Sequence, residues 1–325
     1  MICTLGPTSL KPRIVRQLEA LGVSLFRINL SHTPIEQVRP AVAFLQKHTT
    51  VPVCLDSEGA QIRTGTFTSP PTNLKQDSLL QIHRHPINGD AEKFNFMPST
   101  TLELLKVGDL ITIDFHVVVA EVMEIEGDQA VLRVRQGGRV GSNKACNVNR
   151  NIELPAITVK DRKAIEIGRE MGVGHYALSF ANRREDVQEM RELIGPAATL
   201  ISKIESRSGI VNLEDIAHLS DAILIDRGDL SRQVPLEQIP AHQKNIITRV
   251  KAIGRPVYVA TNLLESMVHS SVPTLAEIND IYNTLDDGAD GLVLAAETAV
   301  GKFPVQCVNM IASVIDEFER LAQET

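Results

Sequence analysis

Lys203, Ile204 and Glu205 carry the most suggestive chemistry in the chain. Strand side chains alternate between faces, so in an extended segment 201–205 Lys203 and Glu205 point the same way. Further on, Arg227-Gly228-Asp229 supplies a second carboxylate, a guanidinium and a glycine. Glu205 and Asp229, with water and substrate oxygens, form the hard oxygen donor set that Mg²⁺ or Mn²⁺ prefers. A lysine and an arginine beside such a cation suit a phosphorylated or carboxylated ligand. Gly228 lets the main chain approach a ligand closely. A helix turn opening at Gly228–Leu230 would aim free N–H groups at a carboxylate. Plainer readings stand beside these: two solvated loop acids, and an ordinary loop glycine.

Other strand-like runs also end in reactive groups. Arg27, Asn29, Ser31 and His32 follow one; Asp56, Ser57, Glu58 and Arg63 another; Thr261 a third; Glu297 and Thr298 a fourth. Solvation alone explains one such terminus more easily than many. The remaining histidines, His116 among them, and the methionine and leucine positions of the helices are given packing or surface roles.

The elements that must position these groups alternate. Strands are expected at Ile2–Leu5, Leu25–Ile28, Val51–Leu55, Tyr176–Leu178, Thr199–Ile201, Ala222–Ile225, Val257–Val259 and Leu292–Leu294. Helical spacing of apolar residues predicts helices over 10–21, 34–47, 158–171, 183–194, 236–252, 274–287 and 304–322, with a short one near Ser208. Pro34 opens the second helix, with Ser31 and Thr33 as candidate caps. Thr68-Ser69-Pro70-Pro71-Thr72 breaks the alternation. From there to about residue 152, short strand-like runs (Leu79–His83, Leu110–Ile113, Val117–Val122, Ala130–Val134) are separated by turns such as Gly127-Asp128 and Gly137-Gly138. The expected class is α/β: a (β/α)₈ TIM barrel over 1–67 and 153–325, with a small all-β lid domain at 68–152 inserted after strand three. An open doubly wound sheet would carry a glycine-rich fingerprint after its first strand, and none stands there.

Composition excludes several classes. Lys+Arg total 33 against 40 Asp+Glu, a net charge of −7, which argues against a nucleic-acid binder. With no tryptophan, base-stacking platforms are not expected either. At 43% hydrophobic residues the chain is too apolar for disorder. No uncharged apolar run reaches the ~18 residues of a membrane span. Met1-Ile2-Cys3-Thr4 has no basic-then-apolar leader, and Cys3, Cys54, Cys146 and Cys307 form no CxxC pair. Reduced thiols and a cytoplasmic setting are the expectation.

At these same residues the chain resembles the pyruvate kinase family. The resemblance is carried by Ile2-Cys3-Thr4-Leu5-Gly6-Pro7, Arg27-Ile28-Asn29-Leu30-Ser31-His32, Ile201-Ser202-Lys203-Ile204-Glu205, Arg227-Gly228-Asp229-Leu230, Ala260-Thr261-Asn262-Leu263-Leu264-Glu265-Ser266-Met267 and Glu297-Thr298-Ala299. It implies a glycolytic kinase: Mg²⁺- or Mn²⁺-dependent phosphoryl transfer between phosphoenolpyruvate, or a related enolpyruvate, and ADP/ATP. Arg27 and Lys203 would hold the phosphoryl group, with Thr261 as a further catalytic group. Glu205 and Asp229 would hold the divalent cation. Arg227, Gly228, Asp229 and Thr261 would bind the substrate carboxylate. Asn29, Ser31, Asp56 and Ser57 match a K⁺ site, and His32, Arg63 and Lys144 match positions near the nucleotide phosphates. Homo-oligomerisation stays open.

The chain departs from the family pattern at several positions. Glu58 stands where the family has lysine, a charge reversal beside the presumed phosphates, and Gln61 replaces a glutamate. Ala295-Ala296 replaces Ser-Gly, Asp226 replaces a small apolar residue, and Ala145 replaces the glycine after Lys144. Typical members continue beyond the position of Thr325 into a regulatory domain, so that regulation is expected to be missing. Two other readings follow from the departures: a metal-dependent pyruvate-enolate lyase or aldolase, with Glu58 facing the former nucleotide side, and a non-catalytic relative that keeps the pocket.

Overall fold

The computed structural model describes residues 1–59, 61–68, 71–114, 117–150 and 152–324. Ser69, Pro70, His116 and Thr325 lie outside them. The chain forms two compact units, one of residues 1–59 and 156–325, the other of residues 60–155.

The first unit is a closed barrel of eight parallel strands in sequence order. They are β1 (Ile2–Thr4), β2 (Leu25–Asn29), β3 (Val53–Asp56), β4 (His175–Leu178), β5 (Thr199–Ile204), β6 (Ala222–Asp226), β7 (Val257–Ala260) and β8 (Gly291–Leu294). Helices separate successive strands, so each strand is covered outside by a helix and inside by the other strands. This is why runs such as Val257–Ala260 and Gly291–Leu294 are almost continuously apolar.

Alternation then sorts side chains into two cores. Ile2, Leu25, Cys54, Ala177, Ile201, Ala222, Leu224, Ala260 and Val293 pack inside the barrel. Their neighbours, among them Phe26, Leu55, Tyr176, Leu200, Ile223 and Ile225, pack outward with the helices. Two residues further along several strands, the inward positions become polar: Thr4, Arg27, Asp56, Ser179, Lys203 and Asp226, all buried. The same period-two rule that builds the core therefore delivers the site.

Helix boundaries follow local chemistry. The helix Pro12–Ala20 begins at the proline, because residues before a proline avoid the helical region. Ser31 and Thr33 do not cap Ile35–His48. Pro34 is its N-cap and no side chain caps it; Asn29 Oδ1 instead accepts the Ser31 N–H at 2.9 Å. The single helix expected over 236–252 is divided into a 3₁₀ turn, Leu236–Gln238, and the helix Ile239–Ala252. Pro240 sits in the first turn of the latter, where its missing N–H costs nothing. Thr158 with Asp161 and Thr274 with Glu277 form capping boxes on Val159–Glu170 and Leu275–Asp286.

In the second unit seven strands close a small, mainly antiparallel barrel: Gln129–Gln136, Leu79–His83, Lys93–Met97, Ile62–Thr64, Ala145–Val148, Leu110–Ile113 and Val118–Glu126. Gly138–Val140 pairs with Thr72–Leu74, so Gly138 opens a strand where a turn was expected. Ile62–Thr64 is bonded to Ala145–Val148 and Lys93–Met97. The unit therefore takes in residues ahead of the turn-rich break at 68. Phe94, Leu80, Ile82, Leu132 and Val122 fill its core. Among the described residues no helix is long and apolar enough to cross a membrane.

Candidate active site

Lys203 is the hub at the carboxyl ends of the barrel strands. Its ammonium lies 2.8 Å from Glu205 Oε1, 3.4 Å from Asp56 Oδ2 and 3.6 Å from Asp226 Oδ2, and donates to the Ser179 hydroxyl at 3.0 Å. Asp56, Glu205 and Asp226 come from β3, the end of β5 and the end of β6, so three strands converge on one cation. All four ionic groups are buried. Burial by itself lowers a lysine, but Asp56, Glu205 and Asp226 together outweigh it and hold the ammonium well above its usual range. Burial pushes the Glu205 carboxyl up to about 8, against the pull of Lys203 and with Asp229 and Asp226 adding to the rise. Burial also acts to raise Asp226, yet Lys203 and Arg27 overcome it and keep that carboxyl below its ordinary value.

Arg27 completes the cationic side. Its Nε donates to Thr4 Oγ1 at 2.8 Å, and Nη1 lies 3.4 Å from Asp56 Oδ2 without a hydrogen bond of its own. Arg27 and His32 also line a cavity of about 500 Å³, walled by Pro7, Leu10, Phe44 and Ala299.

Glu205, Asp226 and Asp229 each present an oxygen within 4.8 Å of the others. Glu205 Oε2 accepts the Phe180 N–H at 2.7 Å, while the buried Oε1 is met by the Lys203 ammonium at 2.8 Å. A set of three clustered carboxylates, two of them buried, fits a hard divalent cation. Asp229 also pairs with Arg232 at 2.8 Å.

The opposite wall is made by the turn after β7. Thr261 and Asn262 have φ of +70° and +55°. This conformation is unfavourable for a β-branched residue, and strain of this kind, of order 1–3 kcal/mol, is held only where surroundings enforce it. Here they do. The Arg227 guanidinium donates to the Thr261 carbonyl at 2.6 and 3.1 Å, to Asp280 at 2.8 and 3.0 Å, and to Gln243 at 3.3 Å. The Thr261 hydroxyl accepts the Gly228 N–H at 2.7 Å and lies 3.3 Å from Asp226 Oδ1. The guanidinium of Arg227 is thus committed to positioning the Thr261 turn, and a ligand at this wall meets main chain and hydroxyl instead.

Asn29 and Asp56 are register partners on β2 and β3; Asn29 Oδ1 accepts the Ser31 N–H, and the Ser57 hydroxyl accepts the Ser179 N–H. The Asp56 carboxylate is already shared by Lys203 and Arg27. Glu58 does not hang free: its carboxylate is 3.1 Å from both Lys160 Nζ and the Thr158 hydroxyl. Arg63 and Lys144 belong to the second unit, where Arg63 donates to the Asn143 carbonyl at 3.1 Å and Lys144 pairs with Asp114 at 2.9 Å. Glu297 is buried and accepts the N–H groups of Leu264 and Ala295, which makes it a brace between the turns after β7 and β8.

Two members of the cluster escape sequence reasoning. Ser179, which bonds Lys203, Asp56 and the Ser57 carbonyl, is an uncharged residue directly after β4. Its signal is parity alone, two positions after the inward Ala177. Asp226 stands out only as a departure from a family pattern, yet parity with Ala222 and Leu224 turns it inward.

Comparisons with known proteins agree in one direction. The sequence pattern of the family "Pyruvate kinase, barrel domain" matches residues 1–308. A pyruvate kinase of Agrobacterium vitis is 36% identical over 330 residues, covering 98% of this chain and 68% of that protein. A pyruvate kinase of Thermotoga maritima is 34% identical over 329 residues, covering 98% and 71%. That of Methylorubrum extorquens is 33% identical over 326 residues, covering 98% and 68%.

Proposed function

The chain belongs to the pyruvate kinase family of phosphotransferases, and from that premise we propose that it moves a phosphoryl group between phosphoenolpyruvate and ADP/ATP. The observation that carries this reading is the meeting of the Lys203 ammonium with the carboxylates of Glu205, Asp226 and Asp56 at the mouth of the barrel.

Glu205 and Asp229 hold Mg²⁺ or Mn²⁺, which when bound neutralises charge on the phosphoryl and enolate oxygens. Arg27 and Lys203 flank the phosphoryl group. Lys203, kept cationic by its three carboxylates, offsets the charge that develops during transfer. The Thr261 hydroxyl and the main chain at Gly228–Asp229 orient the substrate carboxylate, and Arg227 keeps the Thr261 turn in place. A Cβ on Gly228 would lie 3.4 Å from both Asp226 Oδ1 and Thr261 Oγ1, occupying the space through which a ligand reaches this backbone. Asn29, Ser31, Asp56 and Ser57 supply oxygens for a K⁺ ion. The cavity bordered by His32, with apolar walls at Pro7, Leu10 and Phe44, suits a nucleoside. Positioning and charge neutralisation then provide most of the rate.

The test is a coupled pyruvate-formation assay with phosphoenolpyruvate, ADP and Mg²⁺, using Lys203→Met as control. Divalent-dependent turnover well above that variant is expected. Turnover equal to the variant would reject the reading.

A further inference from the structure

We propose that Asp226 is a third carboxylate ligand of the divalent cation held by Glu205 and Asp229, so that this chain grips the ion with three acidic side chains. The inference rests on the phosphotransferase reading above and concerns the composition of its cation site.

Position and charge both support it. One oxygen from each of Glu205, Asp226 and Asp229 lies within 4.8 Å of the other two, close to the ~4.2 Å that separates opposite oxygens around an octahedral Mg²⁺. Asp226 divides its labour between its oxygens. Oδ1 caps the short helix Arg227–Leu230, 3.4 Å from the Asp229 N–H, and lies 3.3 Å from the Thr261 hydroxyl. Oδ2 is left with Lys203, which at 3.6 Å is farther than that lysine stands from Glu205 or Asp56.

A helix cap needs only a neutral oxygen, which serine or asparagine provides. A full carboxylate that is 4% exposed needs a counter-charge. Two buried cations, Arg27 and Lys203, face three buried carboxylates, Asp56, Glu205 and Asp226. Nearby, Arg227 is matched by Asp280 and Asp229 by Arg232. With all three ionised the surplus is negative, and it sits at Glu205 Oε1, which is buried and shares the Lys203 ammonium with Asp56 and Asp226. A divalent cation resolves this surplus, because buried charges are paired or coordinate metals.

The experiment measures Mn²⁺ binding to the whole chain by electron paramagnetic resonance of the free ion, together with the water-proton relaxation of the bound ion. Wild type, Glu205→Gln and Asp226→Asn are compared. The proposal expects Glu205→Gln to abolish tight binding and Asp226→Asn to weaken it about ten-fold or more. It also expects higher relaxivity per bound ion in Asp226→Asn, because a water replaces the lost ligand. A cap or a remote charge would not produce that second change. Affinity within three-fold of wild type and unchanged relaxivity in Asp226→Asn, with binding still abolished by Glu205→Gln, would overturn the role of Asp226 alone. Failure of the wild type to bind Mn²⁺, or undiminished binding by Glu205→Gln, would overturn the cation site and this proposal together. Should Asp226→Asn not fold, Asp226→Ser retains a capping oxygen and is read by the same outcomes.

Discussion

Lys203 Nζ stands 2.8 Å from Oε1 of Glu205, two residues further along the chain, and solvent reaches neither side chain appreciably. A buried pair of this kind is strongly asymmetric: removing one partner leaves the other charge uncompensated.

Lys203→Met should reduce turnover about 10²–10³-fold through loss of transition-state charge stabilisation. It should also destabilise the protein by about 3–5 kcal/mol, because Asp56, Glu205 and Asp226 lose their common cation. Added Mg²⁺ should recover part of that stability. Urea melts with and without Mg²⁺ check this. A variant as stable as wild type, and unresponsive to Mg²⁺, would show that the ammonium does not balance the cluster.

At Thr261 the hydroxyl and the backbone make opposing demands. Thr261→Ala and Thr261→Gly both remove the acceptor of the Gly228 N–H, so both should raise KM for phosphoenolpyruvate, whereas Thr261→Ser should not. Glycine tolerates φ of +70° and alanine does not, so Thr261→Gly should be the more stable of the first two by about 1 kcal/mol. Urea midpoints and substrate titrations separate the two demands.

The Glu58 carboxylate is bound to Lys160 at 3.1 Å, with both side chains about three-quarters shielded. Glu58→Lys should therefore lower stability by setting two ammonium groups against each other, and Glu58→Lys combined with Lys160→Glu should restore most of the loss. The double-mutant cycle should give a coupling of about 1 kcal/mol. A coupling near zero would return Glu58 to the role of an unattached anion.

Stability should fall in acid partly through Asp221. Burial acts to raise this carboxyl, but bonds from Arg191 and the Leu200 N–H outweigh it and hold it below the usual carboxylate range. A depressed folded-state pKa contributes stability above the unfolded value, near 3.9, which is lost as pH falls through the folded value. Asp221→Asn should flatten this part of the acid limb and leave the slope above about pH 6 unchanged. The side chain is 43% exposed, so the effect is reduced by solvent screening. Chemical melts from pH 2 to 7 supply the comparison.

Alternation made much of the barrel legible, because its strands are apolar runs bounded by turns and its helices carry regular apolar stripes. The placement of Lys203 with Glu205 on one face follows from the same rule. The shortest strands of the second unit were not legible. Lys93–Met97 alternates, but over only five residues, and Ala145–Val148 has only four, too short to separate from loops; the partners Ile62–Thr64 and Leu110–Ile113 lie some 30 or more residues away in sequence. Capping of the second helix was misread because Ser31 takes part in a turn with Asn29, a local competition that composition does not reveal. Ser179 was missed because a lone serine carries no charge signal. The pairing of Glu58 with Lys160 depends on residues brought together across the insertion, which no local window contains.

The cation site is tested most directly in a crystal of the chain soaked with MnCl₂ and oxalate, a mimic of the pyruvate enolate, and read by anomalous scattering at the manganese edge. A single strong peak is expected in contact with carboxylate oxygens of Glu205 and Asp229, with oxalate between the ion and Thr261. A peak elsewhere, or none between those carboxylates, would contradict it.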